Sequence, residues 1–253
     1  MTSTATLLAW RNIWRHPRRT LLTIAAMVFA DVLLIFMLGL QFGQYRMMID
    51  NSLGIFTGQM QVQADGYLDE PHIYRSIPAA DALAQTIRTR THLDAVATRG
   101  YGFALVSSET RTLGAQISGV EPQYEPRVST LPGLIKQGRY LEIRDSNEIV
   151  IGSTLARNLK IEPGDELTIL GSGRDSSIAA TVSPVVGVFE SGSRDMDRHK
   201  LSMQLDTVRD VYTIGDHAHS IVIGGERDKA NSIAAATQEV LQDRDSLVLL
   251  NWE

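Results

Sequence analysis

The sequence predicts an α+β protein in which one N-terminal transmembrane helix precedes a mixed α/β extracytoplasmic domain with two subdomains. An apolar run, Leu21–Leu40, has the length of a membrane span. Short alternating strands and amphipathic helices follow it without a strict βαβ rhythm, which favours α+β over a doubly wound sheet. The remaining chain of about 200 residues is long enough for one large or two small domains.

The apolar run contains 20 residues, and Asp31 is its only ionisable group. A helix of this length spans roughly 30 Å, whereas a secretory signal has an apolar region of about 7–15 residues. Twelve Leu, Ile, Val and Phe residues outweigh the cost of a central aspartate, about 2.5–3.5 kcal/mol. We predict a membrane helix and stalk over residues 20–52. Asp31 either faces partner helices or is a tolerated aspartate without a role.

Residues 1–19 are predicted to form a cytoplasmic amphipathic elbow helix with a basic flank. Trp10 and Trp14 fall on one helical face, and Arg11 and Arg15 fall on the other. This pattern suits a helix lying in the membrane interface, the alternative being a basic flank alone. Four arginines and no acidic residue precede the span, so the positive-inside rule places the N-terminus in the cytoplasm.

Composition limits the functions of the extracytoplasmic domain, residues 53–253. Beyond the first 20 residues the chain has 20 basic and 29 acidic residues, a net charge of −9. This balance argues against a nucleic-acid-binding surface. The chain contains no cysteine, so neither disulfides nor a lipid-modified cysteine contribute.

Hydrophobic periodicity predicts the elements of this domain, with a half-buried strand at 58–64, a helix at 78–90 that has Leu83 and Ile87 on one face, and a turn-rich segment at 124–138. Pro and Gly at the second and third positions predict a type II turn at Glu162–Asp165, and residues 171–177 read as a hairpin loop. Ser153 or Thr154 is a candidate helix cap. We expect strands at 58–64, 95–107, 111–120, 147–152, 166–170, 179–191, 220–224 and 246–252, and helices at 78–90, 153–159, 206–214 and 228–243.

Motifs of enzyme chemistry are missing from the sequence. It has no P-loop, no G-x-S-x-G elbow and no H-E-x-x-H. His217 and His219 share i, i+2 spacing, as do Asp195, Asp197 and His199, which would suit metal ligands if the two segments met. Solvated loop residues are the favoured interpretation. We therefore expect no catalytic residue, no bound cofactor and no metal.

Several stretches together resemble a known family: "LAWRNIWRHPRRT", "GQMQVQADGY", "GRYL", "NEIVIGSTLARNLKIEPGDELTIL" and "VVGVFESGSRDMD". The chain resembles ABC-transporter permeases of the MacB, LolC, LolE and FtsX type. The residues that match the family pattern are structural in kind. They are Gly138, Leu141, Gly152, Leu155, Ala156, Leu159, Gly164, Asp165, Gly187, Gly192 and Asp197.

The resemblance implies a permease subunit in the bacterial inner membrane, with its main domain periplasmic or extracytoplasmic. Its partners would be a cytoplasmic ABC ATPase, which binds ATP, and a second permease copy or paralogue. Such subunits convey ATP-driven movement to the outer domain, with lipoprotein or lipid as candidate cargo. Members of the family continue into a stalk and three more spans, so we expect this sequence to be an N-terminal portion. The alternative is a single-pass membrane-anchored binding or sensing domain.

Overall fold

The computed structural model describes residues 15–52, 55, 58–143, 147–225 and 229–251, in two compact units, Met1–Asn51 and Ser52–Glu253. Helix α1, Pro17–Ser52, forms most of the described part of the first unit and ends at the first residue of the second. Proline suits the first helical position, where its missing N–H would have no partner. The most apolar 18 residues of Pro17–Tyr45 have a mean hydropathy of 2.6, and the segment is long and apolar enough to cross a membrane.

The structure describes only some of the side chains that the sequence analysis selected in and before α1. Asp31 lies in the middle of the helix and is exposed, as are the large apolar side chains around it. Arg15 lies in a turn just before the helix. Trp10, Arg11 and Trp14, which define the predicted elbow helix, lie outside the described residues.

The second unit is built from ten strands and six α-helices in its described part. The strands are β1 Met60–Ala64, β2 Val96–Ser107, β3 Thr112–Val120, β4 Ile135–Gly138, β5 Ile149–Gly152, β6 Glu166–Ser172, β7 Ile178–Phe189, β8 Lys200–Gln204, β9 Ser220–Ile223 and β10 Leu247–Asn251. The helices are α2 Ala80–Thr91, α3 Glu125–Val128, α4 Ser153–Leu159, α5 Arg194–His199, α6 Leu205–Val211 and α7 Ala230–Leu241, with a 3₁₀ turn at Leu131–Leu134.

Four strands and two helices form the first half of this unit, which we call the sheet subdomain. Its strand order is β10-β1-β9-β2, and all three pairs are antiparallel. Helix α2 connects β1 to β2 and α7 connects β9 to β10, which is the ferredoxin-like βαββαβ connectivity. Apolar residues of α2 and α7, including Leu83, Ile87 and Ile233, pack with Met60 and Val62 of β1 in one core.

Six strands form the second half, which we call the barrel subdomain. The pairs β2–β3, β3–β8, β8–β5, β5–β7, β7–β6 and β6–β2 close a ring. Inward side chains such as Val106, Ile117, Ile151 and Ile169 fill it, and helices α4 and α6 pack against the same core. Strand β4 lies outside the ring and pairs antiparallel with the last residues of β7. Closing a sheet on itself removes the unpaired edges that an open sheet exposes.

The structure confirms most predicted elements and corrects three details. Strand β1 is not half-buried, because Gln61 and Gln63 are only 3% and 4% exposed, and the Gln63 amide donates to Gln61 at 2.7 Å. Helix α4 has Gly152 at its N-cap, with no side-chain cap. Segment 124–138, predicted to be turns, contains α3, the 3₁₀ turn and β4, while α5 and β8 were not predicted.

Candidate functional site

Strand β2 runs through both subdomains and defines the junction between them. Its first residues, Val96–Arg99, pair with β9 of the sheet subdomain. Its remaining residues, Gly100–Ser107, pair with β3, and Ala104–Ser107 also pair with β6. The backbone passes from one subdomain to the other without a linker, so a displacement of one half is carried directly to the other.

A buried ion pair lies where β2 changes partners. Arg99 is the last β2 residue paired with β9, and its guanidinium donates to Glu125 of α3 at 2.5 Å and 3.3 Å. Both side chains are fully buried. Burial lowers the pKa of Arg99, but the charges of Glu125 and Tyr101 and the hydrogen bonds to them together outweigh burial, so the pKa lies above its usual value. The pair therefore fixes α3 to β2.

A second set of polar contacts joins helix α2 to the same place. The Arg88 guanidinium donates to the Val96 carbonyl at 2.8 Å and to Glu121 at 3.4 Å. It also lies 3.7 Å from the centre of the Tyr124 ring. The Glu121 carboxylate accepts the Thr98 backbone N–H at 2.7 Å, while burial raises the pKa of this carboxyl group. These contacts connect α2, β2 and the turn that follows β3.

A buried histidine connects β9 to the barrel part of β2. The Tyr101 backbone N–H donates to His219 Nδ1 at 2.9 Å, so the proton is assigned to Nε2, which faces the Ile73 carbonyl at 3.2 Å. Burial lowers the pKa of His219 to about 4. The ring centroid of Tyr67 lies 5.5 Å from that of His219. The neutral imidazole therefore holds the loop before α2 against the junction.

Lysine 200 adds a titratable group beside this network. Burial and the nearby positive charge of Arg99 lower the pKa of Lys200 to about 8, and Asp195 opposes that effect. Lys200 begins β8, which pairs with the barrel strands β3 and β5.

An open cleft of about 210 Å³ lies next to His219. It is smaller than the 300–1,000 Å³ that pockets for drug-sized ligands occupy. Its walls are largely aromatic and apolar, formed by Tyr67, Pro71, His72, Ile73, Tyr101, Gly102, Phe103 and Ser172. The cleft is therefore too small for a complete drug-sized ligand.

Two glycines of the family pattern allow two backbones to approach each other. Gly138 has a φ of +73° and lies opposite Gly187 in the β4–β7 pair. A Cβ atom on Gly138 would overlap the Val186 carbonyl oxygen, and one on Gly187 would overlap that of Arg139. The Arg139 N–H donates to the Val186 carbonyl at 2.9 Å. Larger residues would force these strands apart.

Asp197 and Gly152 form a second close contact. Asp197 Oδ1 accepts the backbone N–H of Ser191 at 2.8 Å and its hydroxyl at 2.7 Å, across the turn at Gly192, whose φ is +81°. Ser153 donates to Oδ2 at 3.4 Å. A Cβ atom on Gly152 would overlap the Asp197 backbone. These residues hold α5 against the end of β5.

The remaining pattern residues form a turn and part of the cores. Gly164 has a φ of +107°, and the Asp165 N–H donates to the Glu162 carbonyl at 3.1 Å, which confirms the predicted type II turn. The Asp165 carboxylate also accepts the Glu162 N–H at 2.8 Å. The other pattern residues are buried apolar side chains: Leu141, Leu155, Ala156 and Leu159.

The candidate metal ligands do not converge. Across residues 15–52, 58–143, 147–225 and 229–251, no group of three His, Asp or Glu side chains has a metal-binding arrangement. His217 Nδ1 lies 3.0 Å from the Ser76 hydroxyl, and His199 lies 3.2 Å from Asp195 one turn away. His219 and Asp197 are occupied by the contacts described above.

The residues of the junction were not found from the sequence. Arg99, Glu121 and Glu125 read there as ordinary polar residues of a strand and a turn-rich segment. One available signal was an arginine within the apolar run of β2, since a charge in a buried strand needs a partner. The described network is made of paired charges around a continuous strand. It joins helices α2 and α3 to the point where β2 passes from the sheet subdomain into the barrel subdomain.

Comparisons with known proteins agree with this architecture. The family model of the MacB-like periplasmic core domain matches residues 20–242. The fold is similar to the periplasmic region of MacB from Actinobacillus actinomycetemcomitans, with 17% identity, a TM-score of 0.58, and coverage of 78% of this chain and 90% of that chain. It is also similar to the extracellular domain of the noncanonic ABC-type transporter YknZ from Gram-positive bacteria, with 12% identity, a TM-score of 0.55, and coverage of 76% and 99%. No curated protein matches the sequence significantly.

Proposed function

This chain belongs to the MacB-like periplasmic core domain family, and we propose that it serves as a permease subunit of an ABC transporter of the mechanotransmission type. A cytoplasmic ATPase subunit hydrolyses ATP, and the permease conveys the resulting movement to its extracytoplasmic domain. The family match includes both the apolar helix and the domain that follows it, so the two belong to one module.

The pairing of β1 with β10 is the observation that carries the proposal. Met60, at the start of β1, lies opposite Asn251, at the end of β10. The segments leading into and out of the domain are therefore neighbours in the fold. Movement applied there reaches the sheet subdomain first, and the junction around Arg99 and Glu125 carries it into the barrel.

The proposed function also requires a particular orientation of the chain in the membrane. The N-terminus lies in the cytoplasm, where the ATPase binds, and the domain lies on the opposite side. Lipoprotein or lipid is the proposed cargo class, because the apolar helix directly precedes the domain in the sequence.

Coupling to an ATPase is the test of this proposal. The permease is co-expressed with the cytoplasmic ABC ATPase subunits of the same organism, one at a time, and purified through a tag on the permease. We expect the ATPase to co-purify and its hydrolysis rate to depend on the permease. Failure of the two proteins to associate would contradict the proposal.

Asp31 offers a sharper version of the same experiment. A polar side chain in mid-membrane is costly against lipid, so we propose that Asp31 faces a helix of the assembled transporter. Asp31→Leu should insert at least as well as the parent but weaken assembly by about 0.6–1.7 kcal/mol, the range of polar contacts within membranes. Co-purification and ATPase rate measure this effect, with Val32→Leu as the control. Unchanged values for Asp31→Leu would leave the aspartate without a role.

A cysteine-free sequence makes the orientation easy to test. A single cysteine at Thr4 should resist a membrane-impermeant maleimide in intact cells, whereas one at the exposed strand residue Thr112 should react. Labelling at Thr4 but not at Thr112 would reverse the proposed topology.

A further inference from the structure

Two serines lie side by side on the outer wall of the barrel and are nevertheless fully buried. Ser118 of β3 and Ser202 of β8 are register partners in a parallel pair. Their strand neighbours Ile117 and Leu201 belong to the barrel core, so both serines point to the opposite, outer side of the wall. Each serine is 0% exposed. The chain therefore covers the outer wall of the barrel at this point.

Tyr140 belongs to the segment that covers the two serines. Val150 of β5 is the second register partner of Ser202, and Tyr140 packs against the small apolar cluster that contains Val150. Burial raises the pKa of Tyr140, and the charges of Glu125 and Arg99 also act on that pKa. The Tyr140 hydroxyl therefore lies beside the buried ion pair of the junction.

Strand β2 closes the other side of this place. Tyr101 is the register partner of Ser118, so its side chain lies on the same outer side. The Tyr101 hydroxyl accepts a hydrogen bond from Ser220 at 3.1 Å, and Arg99 is hydrogen-bonded to the same side chain. Tyr101 and the ion pair thus have partners of their own, and they enclose the two serines from the side of the junction.

Three hydroxyl groups within this enclosure have no such partner. Among the residues that the structure describes, the side-chain oxygens of Ser118, Ser202 and Tyr140 are buried and have no hydrogen-bond partner. Buried hydroxyls in native proteins are nearly always hydrogen-bonded, because they lose their bonds to bulk water on folding. A buried water molecule typically bonds to two to four polar groups, and three hydroxyls meet that requirement.

We propose that Ser118, Ser202 and Tyr140 together hold at least one ordered water molecule between the outer wall of the barrel and the segment that covers it. One water can donate to two of the oxygens and accept from the third, so all three hydroxyls gain a partner. Water suits this place better than an ion, because the charges of Arg99 and Glu125 beside it neutralise each other. The inference does not depend on the proposed function.

A crystal structure of the full chain, at a resolution that shows ordered water, is the direct test. We expect a density peak of the size of water, at hydrogen-bond distance, about 2.6–3.2 Å, from at least two of the three oxygens. A peak that only a heavier ion explains would overturn the proposal. Hydroxyls that bond to another part of the chain, with no such peak, would overturn it as well.

Thermal unfolding of serine variants in detergent provides the second arm. If the hydroxyls bond to water, Ser118→Ala and Ser202→Ala should each lower the unfolding midpoint by about 2–4 °C, the effect of losing one hydrogen bond in a chain of this size. Removing a buried hydroxyl that has no partner should instead raise the midpoint. Ser172→Ala, at an exposed position of β6, is the matched control and should leave the midpoint nearly unchanged. A rise or no change in either buried variant would contradict the proposal.

The double variant tests whether the two serines share one water. Ser118→Ala combined with Ser202→Ala should lower the midpoint by less than the sum of the two single shifts, because groups that bond to the same water are coupled. Tyr140→Phe removes the third hydroxyl without changing the ring, and it should also lower the midpoint. Tyr74→Phe is its control, since Tyr74 is 51% exposed. Strictly additive serine shifts, or a midpoint raised by Tyr140→Phe, would show that no common water joins these residues.

Discussion

The two subdomains share a strand but are assembled in different ways. The sheet subdomain is made from two segments that are distant in the sequence. One is Met60–Arg99, and the other contains β9, α7 and β10. The barrel subdomain is made from the single stretch between these two segments. The barrel is an insertion between two strands of the sheet. The barrel strands pair with one another within this one stretch. The sheet is complete only when β10, at the end of the domain, pairs with β1 at its start.

The closure of the two subdomains also differs. The sheet has an edge at β10, which pairs only with β1 among the described strands, and its helices α2 and α7 contribute to one core. The barrel strands close a ring around an apolar core. The barrel thus closes on itself, and the sheet is joined to it through the continuous strand β2 and the polar network at the junction.

Removing one partner of the buried ion pair should have the largest effect on this arrangement. Glu125→Ala leaves Arg99 charged and fully buried without its carboxylate, which costs about 3–5 kcal/mol in the free energy of unfolding. Denaturant unfolding of the chain in detergent measures this loss. Because α3 would be released from β2, we expect the junction to become susceptible to proteolysis before the barrel does.

A double variant is the control for that prediction. Arg99→Met with Glu125→Leu replaces both charges by apolar groups, and such replacements are often neutral or stabilising. Stability should return close to that of the parent. If Glu125→Ala costs less than 1 kcal/mol, the ion pair is not what joins the two subdomains.

Acid should loosen the junction through His219. Its pKa is lowered to about 4 in the fold, compared with 6.5 for an unperturbed histidine. Between these values the unfolded chain binds a proton that the native chain excludes, so stability falls as pH decreases from 6.5 to 4. The loss is about 3 kcal/mol and is complete near pH 4.

His219→Asn separates this effect from that of other acid-sensitive groups. Asparagine keeps an acceptor for the Tyr101 N–H but does not titrate, so the slope of stability against pH between 6.5 and 4 should become smaller. His92→Asn removes an exposed imidazole and should leave the slope as it is. Equal slopes for the parent and His219→Asn would show that this histidine does not control the junction.

Two glycines of the barrel should respond differently to the same added methyl group. Gly152→Ala places a Cβ atom against the Asp197 backbone, and overpacking of this kind costs about 1–3 kcal/mol. At Gly114, on the outer face, no atom lies within 4 Å of the added Cβ. Gly114→Ala should be neutral or stabilise by up to about 1 kcal/mol. Thermal unfolding of the pair compares them, and equal losses would contradict the close contact.

The sequence predicts local elements well because their signals are local. Alternation revealed β2 and β3, spacing placed Leu83 and Ile87 on the buried face of α2, and turn chemistry identified Gly164. Strand β8 was missed although Leu201 and Met203 alternate with polar residues, because five residues between two helices give a weak pattern.

The junction and the barrel depend on contacts between distant residues. Arg99 meets Glu125 across 26 positions, and β2 meets β9 across more than a hundred. Nothing in the local periodicity specifies such pairing. Residues of β2 on the same side of the strand also differ in burial, since Arg99 is buried and Leu105 is exposed. The alternating pattern of the sequence does not reveal this difference.

The register of β1 and β10 has a mechanical consequence. Met60 faces Asn251 and Ala64 faces Leu247, so both chain segments attach at the same end of one antiparallel ladder. Forces that pull these attachments apart break the ladder one rung at a time, as in unzipping, and need little strength. Forces that push or pull both attachments together leave every rung intact and lift the pair as a unit. Under the proposed function, the domain would therefore pass on movements that displace both segments together, and it would yield to movements that pull them apart.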